Sequence, residues 1–134
     1  MYYIFESIIV GIYSVILYFI LSQWIINKYV LLFFTGICKH LFGYYFYIHD
    51  YYCNYGDACK KITRENKKYS SKSPVFVIMN ESIIEGLLYL SIGSFLSLFV
   101  LDNMFICVII IGILLHIMAE LFHVHTFFCK YKCK

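Results

Sequence analysis

The sequence predicts an all-α membrane protein with four transmembrane helices, arranged as two tandem two-helix repeats. Three observations support this fold class. Of the 134 residues, 62% are hydrophobic and only 14% are charged, whereas about a quarter of the residues of a soluble domain are charged. Three stretches carry no charged residue, Ser7–Asn27, Gly86–Leu101 and Asn103–Ala119. A pattern of rare polar residues also occurs twice in the chain, which suggests an internal duplication.

Four segments are long enough to cross a bilayer core about 30 Å thick. We place the spans at Tyr2–Gln23, Ile25–Ile48, Val75–Leu101 and Met104–Phe128. Short connections near Trp24–Lys28 and at Asp102–Asn103 would make two helical hairpins. The first span is expected to be a retained helix, because the segment before it lacks the Lys or Arg of a secretory signal.

The basic residues are distributed unevenly between the two predicted faces of the membrane. An even number of spans places both termini and the central loop, Asp50–Pro74, on one side. That side holds Lys60, Lys61, Arg64, Lys67, Lys68, Lys72, Lys130, Lys132 and Lys134, and the other side holds only Lys28. The positive-inside rule predicts that the termini and the loop are cytoplasmic. The polar segments are too short to bury a core of their own, so no domain is expected to protrude.

The repeat begins with Glu-Ser-Ile-Ile-x-Gly, found at Glu6–Gly11 and again 75 residues later at Glu81–Gly86. After one insertion the offset becomes 76, and Gly36, His40, His49 and Cys53 match Gly112, His116, His125 and Cys129. A two-residue gap then matches Cys59 with Cys133. We divide the single transmembrane domain, 1–134, into repeat 1 (2–59), a basic loop (60–74) and repeat 2 (75–134). Both repeats run in the same direction, so a pseudo-twofold axis along the membrane normal is expected.

Several polar residues fall within or at the ends of the spans, namely Glu6, Lys39, His40, Glu81, Glu85, His116, Glu120 and His123. Their simplest interpretation is packing, with histidines hydrogen-bonded across helices. We expect Lys39 to pair with Glu120 or Glu85, because an unpaired charge at membrane depth is costly. Such a pair would fix the contact between the repeats; a proton pathway is the alternative.

Two more specific arrangements are predicted at the ends of the helices. Glu6 is expected near His49 and Glu81 near His125, each pair within one hairpin; the alternative is that both carboxylates only favour a helix start. Glu120 and His123 form a Glu-x-x-His pair of the kind found in carboxylate di-iron bundles. The first repeat has Tyr44 and Tyr47 at the matching positions, so only half of that motif is present.

Four of the six cysteines, Cys53, Cys59, Cys129 and Cys133, occupy matching positions at the basic face. Within-repeat disulfides, Cys53 with Cys59 and Cys129 with Cys133, are one interpretation, although cytoplasmic disulfides are rare. A zinc site is the second, with the ligands His49, Cys53, His125 and Cys129. Reduced structural thiols are the third. Cys38 and Cys107 are expected to be inert residues within the spans.

A set of residues spread over nearly the whole chain resembles small multi-pass membrane proteins encoded by large nucleocytoplasmic DNA viruses. The set comprises Gly36-x-x-x-His40, the block Tyr47–Gly56, the block Glu81–Gly86 and the run His116-x-x-x-Glu120-x-x-x-x-His125-x-x-x-Cys129. This resemblance implies a protein of the internal virion membrane with access to a viral cytoplasmic disulfide pathway. His123 and Asp50 stand where smaller residues are expected, so only the quoted Cys and His positions are carried over.

The sequence therefore favours a structural component of a host or virion membrane over an enzyme. Its basic, cysteine-clamped loop is expected to face anionic lipids or an acidic coat or capsid protein. The alternative is that the lysines of the loop only set the topology. A membrane enzyme of thiol-redox or metal chemistry is the alternative, although the chain lacks a reactive Cys-x-x-Cys pair. A small transporter is less favoured, because no Gly-rich filter loop enters the membrane. We expect no nucleic-acid partner and no cofactor other than zinc, and homo-oligomerisation is left open.

Overall fold

The computed structural model describes residues 2–62, 73–99 and 102–133, which form seven helices. Their bounds are α1 Tyr2–Leu21, α2 Lys28–Tyr45, α3 Ile48–Tyr55, α4 Asp57–Ile62, α5 Val75–Phe99, α6 Met104–Leu121 and α7 Val124–Tyr131. The helices α1, α5 and α6 are each long and apolar enough to cross a membrane. The helices α2 and α3 meet the same criterion only as a pair, with a bend of 69° between them. The all-helical class is confirmed, with three or four candidate spans. Most of the predicted basic loop, 63–72, lies outside the described residues.

Asparagine side chains determine where the second helix of each hairpin begins. Asn27 accepts hydrogen bonds from the backbone N–H groups of Tyr29 and Val30, at 3.0 and 3.2 Å. Asn103 accepts the corresponding bonds from the second and third residues of α6, at 2.9 and 3.4 Å. An N-cap amide satisfies two of the free N–H groups at a helix start. The predicted start of the second helix at Ile25 is therefore wrong, and the helix starts at Lys28.

The predicted second and fourth spans are each interrupted near the end. Tyr47 and His123 adopt left-handed backbone conformations, with φ of 56° and 57°, and a short helix follows each of them. Non-glycine residues rarely adopt this conformation, which breaks a right-handed helix. The predictions of continuous helices over Ile25–Ile48 and Met104–Phe128 are wrong for this reason. Part of the predicted loop Asp50–Pro74 is also helical, as α3 and α4.

The three short helices and the segment after α7 form a small structure that we call the cap, residues 48–62 and 124–133. It has a buried core of its own, with Tyr52 and Phe128 packed against the buried residues Cys53, Ala58, Cys59, Cys129 and Cys133. The prediction that these segments bury no core is therefore wrong. Cross-linked sulfur atoms supply the burial that so few apolar side chains cannot provide.

The two largest helix–helix interfaces join α1 to α6 and α2 to α5. Glycines allow both pairs of backbones to approach closely: a Cβ atom on Gly36 would lie 2.8 Å from Cα of Gly86, and one on Gly112 would lie 2.9 Å from Cα of Gly11. Near the hairpin ends the helices enclose an apolar core that includes Leu32, Val108, Ile111 and Tyr89. Large apolar side chains on the outer faces remain exposed, as expected where lipid covers them.

Replacing Gly36 with Ala should destabilise the bundle by about 1–3 kcal/mol, the usual cost of overpacking a well-packed interior. The added methyl group would lie 2.7 Å from the carbonyl oxygen of Glu85, and neither backbone can move away without separating α2 from α5. The measurement is the free energy of unfolding in mixed detergent micelles. Ser91→Ala, on the exposed face of α5, is the control and should change stability little. Equal stability of the two variants would contradict the close contact.

Candidate functional site: two polar clusters and a disulfide-bonded cap

The first polar cluster lies between α2, α5 and the end of the cap. Lys39 forms an ion pair with Glu85, with only 15% and 16% of the two side chains exposed. The other carboxylate oxygen of Glu85 lies 2.9 Å from Nδ1 of His40, and Nε2 of the same ring lies 3.4 Å from Glu81. Lys132 of the cap forms an ion pair with Glu81. We call these five residues the α2–α5 cluster; its two lysines balance its two carboxylates.

The second polar cluster lies between α1, α6 and the cap. Glu6 Oε1 accepts a hydrogen bond of 2.9 Å from the backbone N–H of Asp57, and Glu6 Oε2 lies 3.6 Å from Nε2 of His116. His125 lies 3.1 Å from Glu120 through Nδ1, and its ring centroid is 4.4 Å from that of His116. We call these five residues the α1–α6 cluster. In both clusters a carboxylate near the start of one span faces a histidine of a span from the other repeat.

The predicted ion pair of Lys39 is confirmed, with Glu85 as its partner. The predicted pairs within one hairpin are wrong: Glu6 contacts His116 and not His49, and Glu81 contacts His40 and not His125. The reason is that α1 and α5 pack most extensively on a helix of the other repeat. A carboxylate at the start of either helix therefore meets a histidine across the repeat boundary.

The predicted Glu-x-x-His pair is also not formed. His123 is the left-handed residue between α6 and α7, and its side chain is exposed. Glu120 contacts His125 instead. The break in the helix moves the residue at i+3 away from Glu120 and brings the residue at i+5 to it. Helical spacing could not predict this contact, because it assumes that the helix continues.

A chain of polar contacts runs from the α2–α5 cluster into the bundle and then stops. The ammonium group of Lys39 lies 5.7 Å from the ring centroid of Tyr89, whose hydroxyl is 2.6 Å from Ser14 Oγ. Ser14 donates to the carbonyl oxygen of Val10. Toward the hairpin ends, the described residues in the interior form the apolar core that contains Leu32. The described part of the bundle therefore favours structural ion pairs over a proton pathway across the membrane.

Both clusters also contain buried polar atoms without a hydrogen-bond partner among the described residues. They include Nε2 of His40, Nε2 of His116 and Oε2 of Glu6. Two of these atoms face each other, since Glu6 Oε2 and His116 Nε2 are separated by 3.6 Å, slightly beyond hydrogen-bonding distance. Buried groups of this kind usually bind an ordered water molecule. Each of the two imidazoles thus has one buried nitrogen without a hydrogen-bond partner among the described residues.

The cap contains two disulfides, and both join one repeat to the other. Cys53 pairs with Cys133 and Cys59 pairs with Cys129, with Cα–Cα distances of 5.6 and 5.1 Å. All four predicted cysteines are thus used, but the predicted pairing within each repeat is wrong. The cap brings α4 against α7, so each cysteine meets a partner from the other half of the chain. Cys38 and Cys107 form no disulfide.

The predicted zinc ligands are not brought together. His49 lies against Tyr44, with ring centroids 4.0 Å apart, whereas His125 belongs to the α1–α6 cluster. Cys53 and Cys129 lie in different disulfides. Within the described part of the chain, the one group spaced to hold a metal ion consists of Cys59, Cys129 and Cys133. The i, i+4 spacing predicts that each His lies beside its Cys on one helix face. In the structure the histidines point toward the spans, whereas the cysteines point into the cap.

Burial and charge act in opposite directions on the ionisable groups of the cap. Burial lowers the pKa of His125, while its hydrogen bond to Glu120 acts to raise it. The hydrogen bond from exposed Lys61 to Asp57, 3.0 Å long, raises the pKa of that lysine. The lowered pKa favours an uncharged imidazole at His125 at neutral pH.

No protein-family model matches this sequence, and the chain has no significant match among curated proteins or solved structures. The fold and the site by themselves define a small helical protein with membrane-spanning helices and two cysteine pairs at disulfide distance. Its function has to be argued from this geometry.

Peptide mapping of the unreduced protein should recover the two disulfides that link Cys53 to Cys133 and Cys59 to Cys129, with Cys38 and Cys107 alkylated. The short Cα–Cα distances allow these pairs without backbone movement. Cleavage within 63–72 before analysis cuts the peptide chain between the two halves. The disulfides should then hold the halves together until a reductant is added. Halves that separate without reductant would show that no disulfide joins the two repeats.

The Lys39–Glu85 pair can be tested with residues that the chain itself supplies. By the repeat alignment, Lys39 matches Leu115 and Glu85 matches Val10. Either single replacement, Lys39→Leu or Glu85→Val, should destabilise the bundle by about 3–5 kcal/mol, because it leaves one buried charge unpaired. The double replacement should recover most of that loss, and the coupling is measured by a double-mutant cycle in detergent. Additive effects would exclude the pair as a stabilising contact.

Proposed function

We propose that the chain is a structural component of a membrane, in which four spans form two repeats related by a pseudo-twofold axis along the membrane normal. The observation that carries this proposal is the disulfide pairing. Each disulfide joins the two halves, and exchanging matched cysteines converts Cys53–Cys133 into Cys129–Cys59, which is the other disulfide. A cap cross-linked in this way holds together the open ends of both hairpins, which lie opposite the hairpin turns.

Other contacts support the twofold relation. The Glu6–His116 contact becomes Glu81–His40 when matched residues are exchanged, and the distances are 3.6 and 3.4 Å. The glycine contacts between α1 and α6 and between α2 and α5 exchange in the same way. Tyr89 and Ser14 stand at matched positions and contact each other, as expected for residues close to such an axis.

A scaffold fits the interior better than a transporter or an enzyme does. The side chains of Leu32, Val108, Ile111 and Tyr89 are fully buried and fill the bundle near the hairpin ends. The cap cysteines are 0–7% exposed, so a partner thiolate has little access to their sulfur atoms. The described residues of the interior thus provide packing and cross-links.

The basic residues orient the proposed scaffold. The positive-inside rule assigns the cap, the central loop and the termini to the cytoplasmic face. Disulfides there require a local oxidising pathway, which the resemblance to membrane proteins of large nucleocytoplasmic DNA viruses implies. We therefore propose a virion membrane as the location, with anionic lipid headgroups or an acidic coat protein facing the lysines of the loop.

The test is to locate and count the protein in purified particles of the virus that encodes it. A structural component should be abundant in the particle membrane and resist extraction by alkaline carbonate. In sealed vesicles, protease should cleave the 63–72 segment only from the cytoplasmic side. A trace amount confined to infected-cell membranes would contradict a structural role and favour an enzyme, whereas cleavage only from the opposite side would overturn the topology alone.

A further inference from the structure

The sulfur atoms of the two disulfides lie in one cluster. Sγ of Cys59 is 4.0 Å from Sγ of Cys133, although these residues belong to different disulfides. Sγ atoms of Cys59, Cys129 and Cys133 all lie within 4.8 Å of one another. All four residues are buried, at 0–7% exposure. Two disulfides that served only as separate cross-links would not need to be adjacent.

This spacing is close to that of a tetrathiolate metal site. Zinc–sulfur bonds of about 2.3 Å in a tetrahedron separate neighbouring sulfur atoms by about 3.8 Å, compared with 4.0 Å between Cys59 and Cys133. Each repeat contributes two ligands from a short segment, with five residues between Cys53 and Cys59 and three between Cys129 and Cys133. Gly56 turns the chain between the first two, where a Cβ atom would lie 2.6 Å from the carbonyl oxygen of Tyr52.

We propose that, once both disulfides are reduced, Cys53, Cys59, Cys129 and Cys133 bind one Zn²⁺ ion in the centre of the cap. Each disulfide accepts two electrons and two protons from a dithiol reductant and becomes two thiols. Zinc binding then releases the four thiol protons and leaves a site with a charge of −2. Soft thiolate ligands in a tetrahedron select zinc over hard cations such as Mg²⁺ and Ca²⁺.

The charges near the cap fit such a site. Lys60 and Lys130 directly follow Cys59 and Cys129 in sequence, and positive charge favours thiolates over thiols. The ion would link α3 and α4 to the segment around α7, so it would join the same two halves as the disulfides do. If the cap faces the cytoplasm where the local oxidising pathway does not act, zinc would keep the cap closed although disulfides could not persist there. This last step rests on the proposed topology, but the binding itself does not.

The test uses the purified full-length protein in detergent micelles. The protein is reduced with a phosphine without oxygen, freed of reductant, incubated with zinc and then desalted. Elemental analysis should find one zinc ion per chain, and none in the unreduced protein. Cobalt in place of zinc should give the absorption spectrum of tetrahedral thiolate coordination. Circular dichroism checks that each reduced sample keeps its helices.

Matched variants identify the ligands. Cys38→Ser with Cys107→Ser, and His49→Ala with His125→Ala, should each retain one zinc ion, because none of these residues lies among the clustered sulfur atoms. Cys59→Ser and Cys133→Ser should each weaken zinc binding at least tenfold. A reduced, helical protein that binds no zinc would overturn the proposal. Binding that is lost with the histidines, or that survives removal of the cap cysteines, would overturn it as well.

Discussion

Helices in a bilayer gain little hydrophobic free energy by leaving lipid for protein, so contacts between them depend on backbones that can approach closely. In this protein the backbones approach closely at the glycines, where Gly36 lies against Gly86 and Gly112 against Gly11. When two helices are this close, a side chain one helical turn from the glycine reaches the neighbouring helix. The ion pair of Lys39 with Glu85 and the contacts of His40 with Glu81 and of His116 with Glu6 follow from this approach, because they join the same pairs of helices as the glycines do.

The two clusters show how matched positions can be filled differently. The α2–α5 interface buries the ion pair of Lys39 and Glu85, whereas the matching positions of the α1–α6 interface hold Leu115 and Val10. Since the matching positions of the other half hold apolar residues, the charges are not needed to make an interface of this kind. A buried ion pair can instead select which faces meet, because a wrong partner leaves a charge unpaired. That role suits a chain whose four spans are otherwise similar in composition.

The sequence was sufficient to predict the helical class, the four cysteines that are candidates for disulfides and an ion pair of Lys39 with Glu85 or Glu120, but not how the cysteines pair or which histidines Glu6 and Glu81 contact. Matching Cys53 with Cys129 and Cys59 with Cys133 identifies equivalent residues, yet a twofold relation permits bonds within each repeat as well as between them. Only the packing of α1 on α6 and α2 on α5 selects the second arrangement. The breaks at Tyr47 and His123 were missed for another reason, since neither residue is a glycine or a proline that would signal one.

The cross-links act on the cap more than on the bundle. The disulfides close loops of 80 and 70 residues. In a chain unfolded in water, each would stabilise the folded state by about 4.5 kcal/mol. Spans that stay helical in the bilayer already restrict the ends of those loops, so less entropy remains for the disulfides to remove. The cap, in contrast, buries too few apolar groups to hold itself together. Because Glu6 accepts from the backbone of Asp57 and Glu81 binds Lys132, the order imposed on the cap extends to the carboxylates at the starts of α1 and α5.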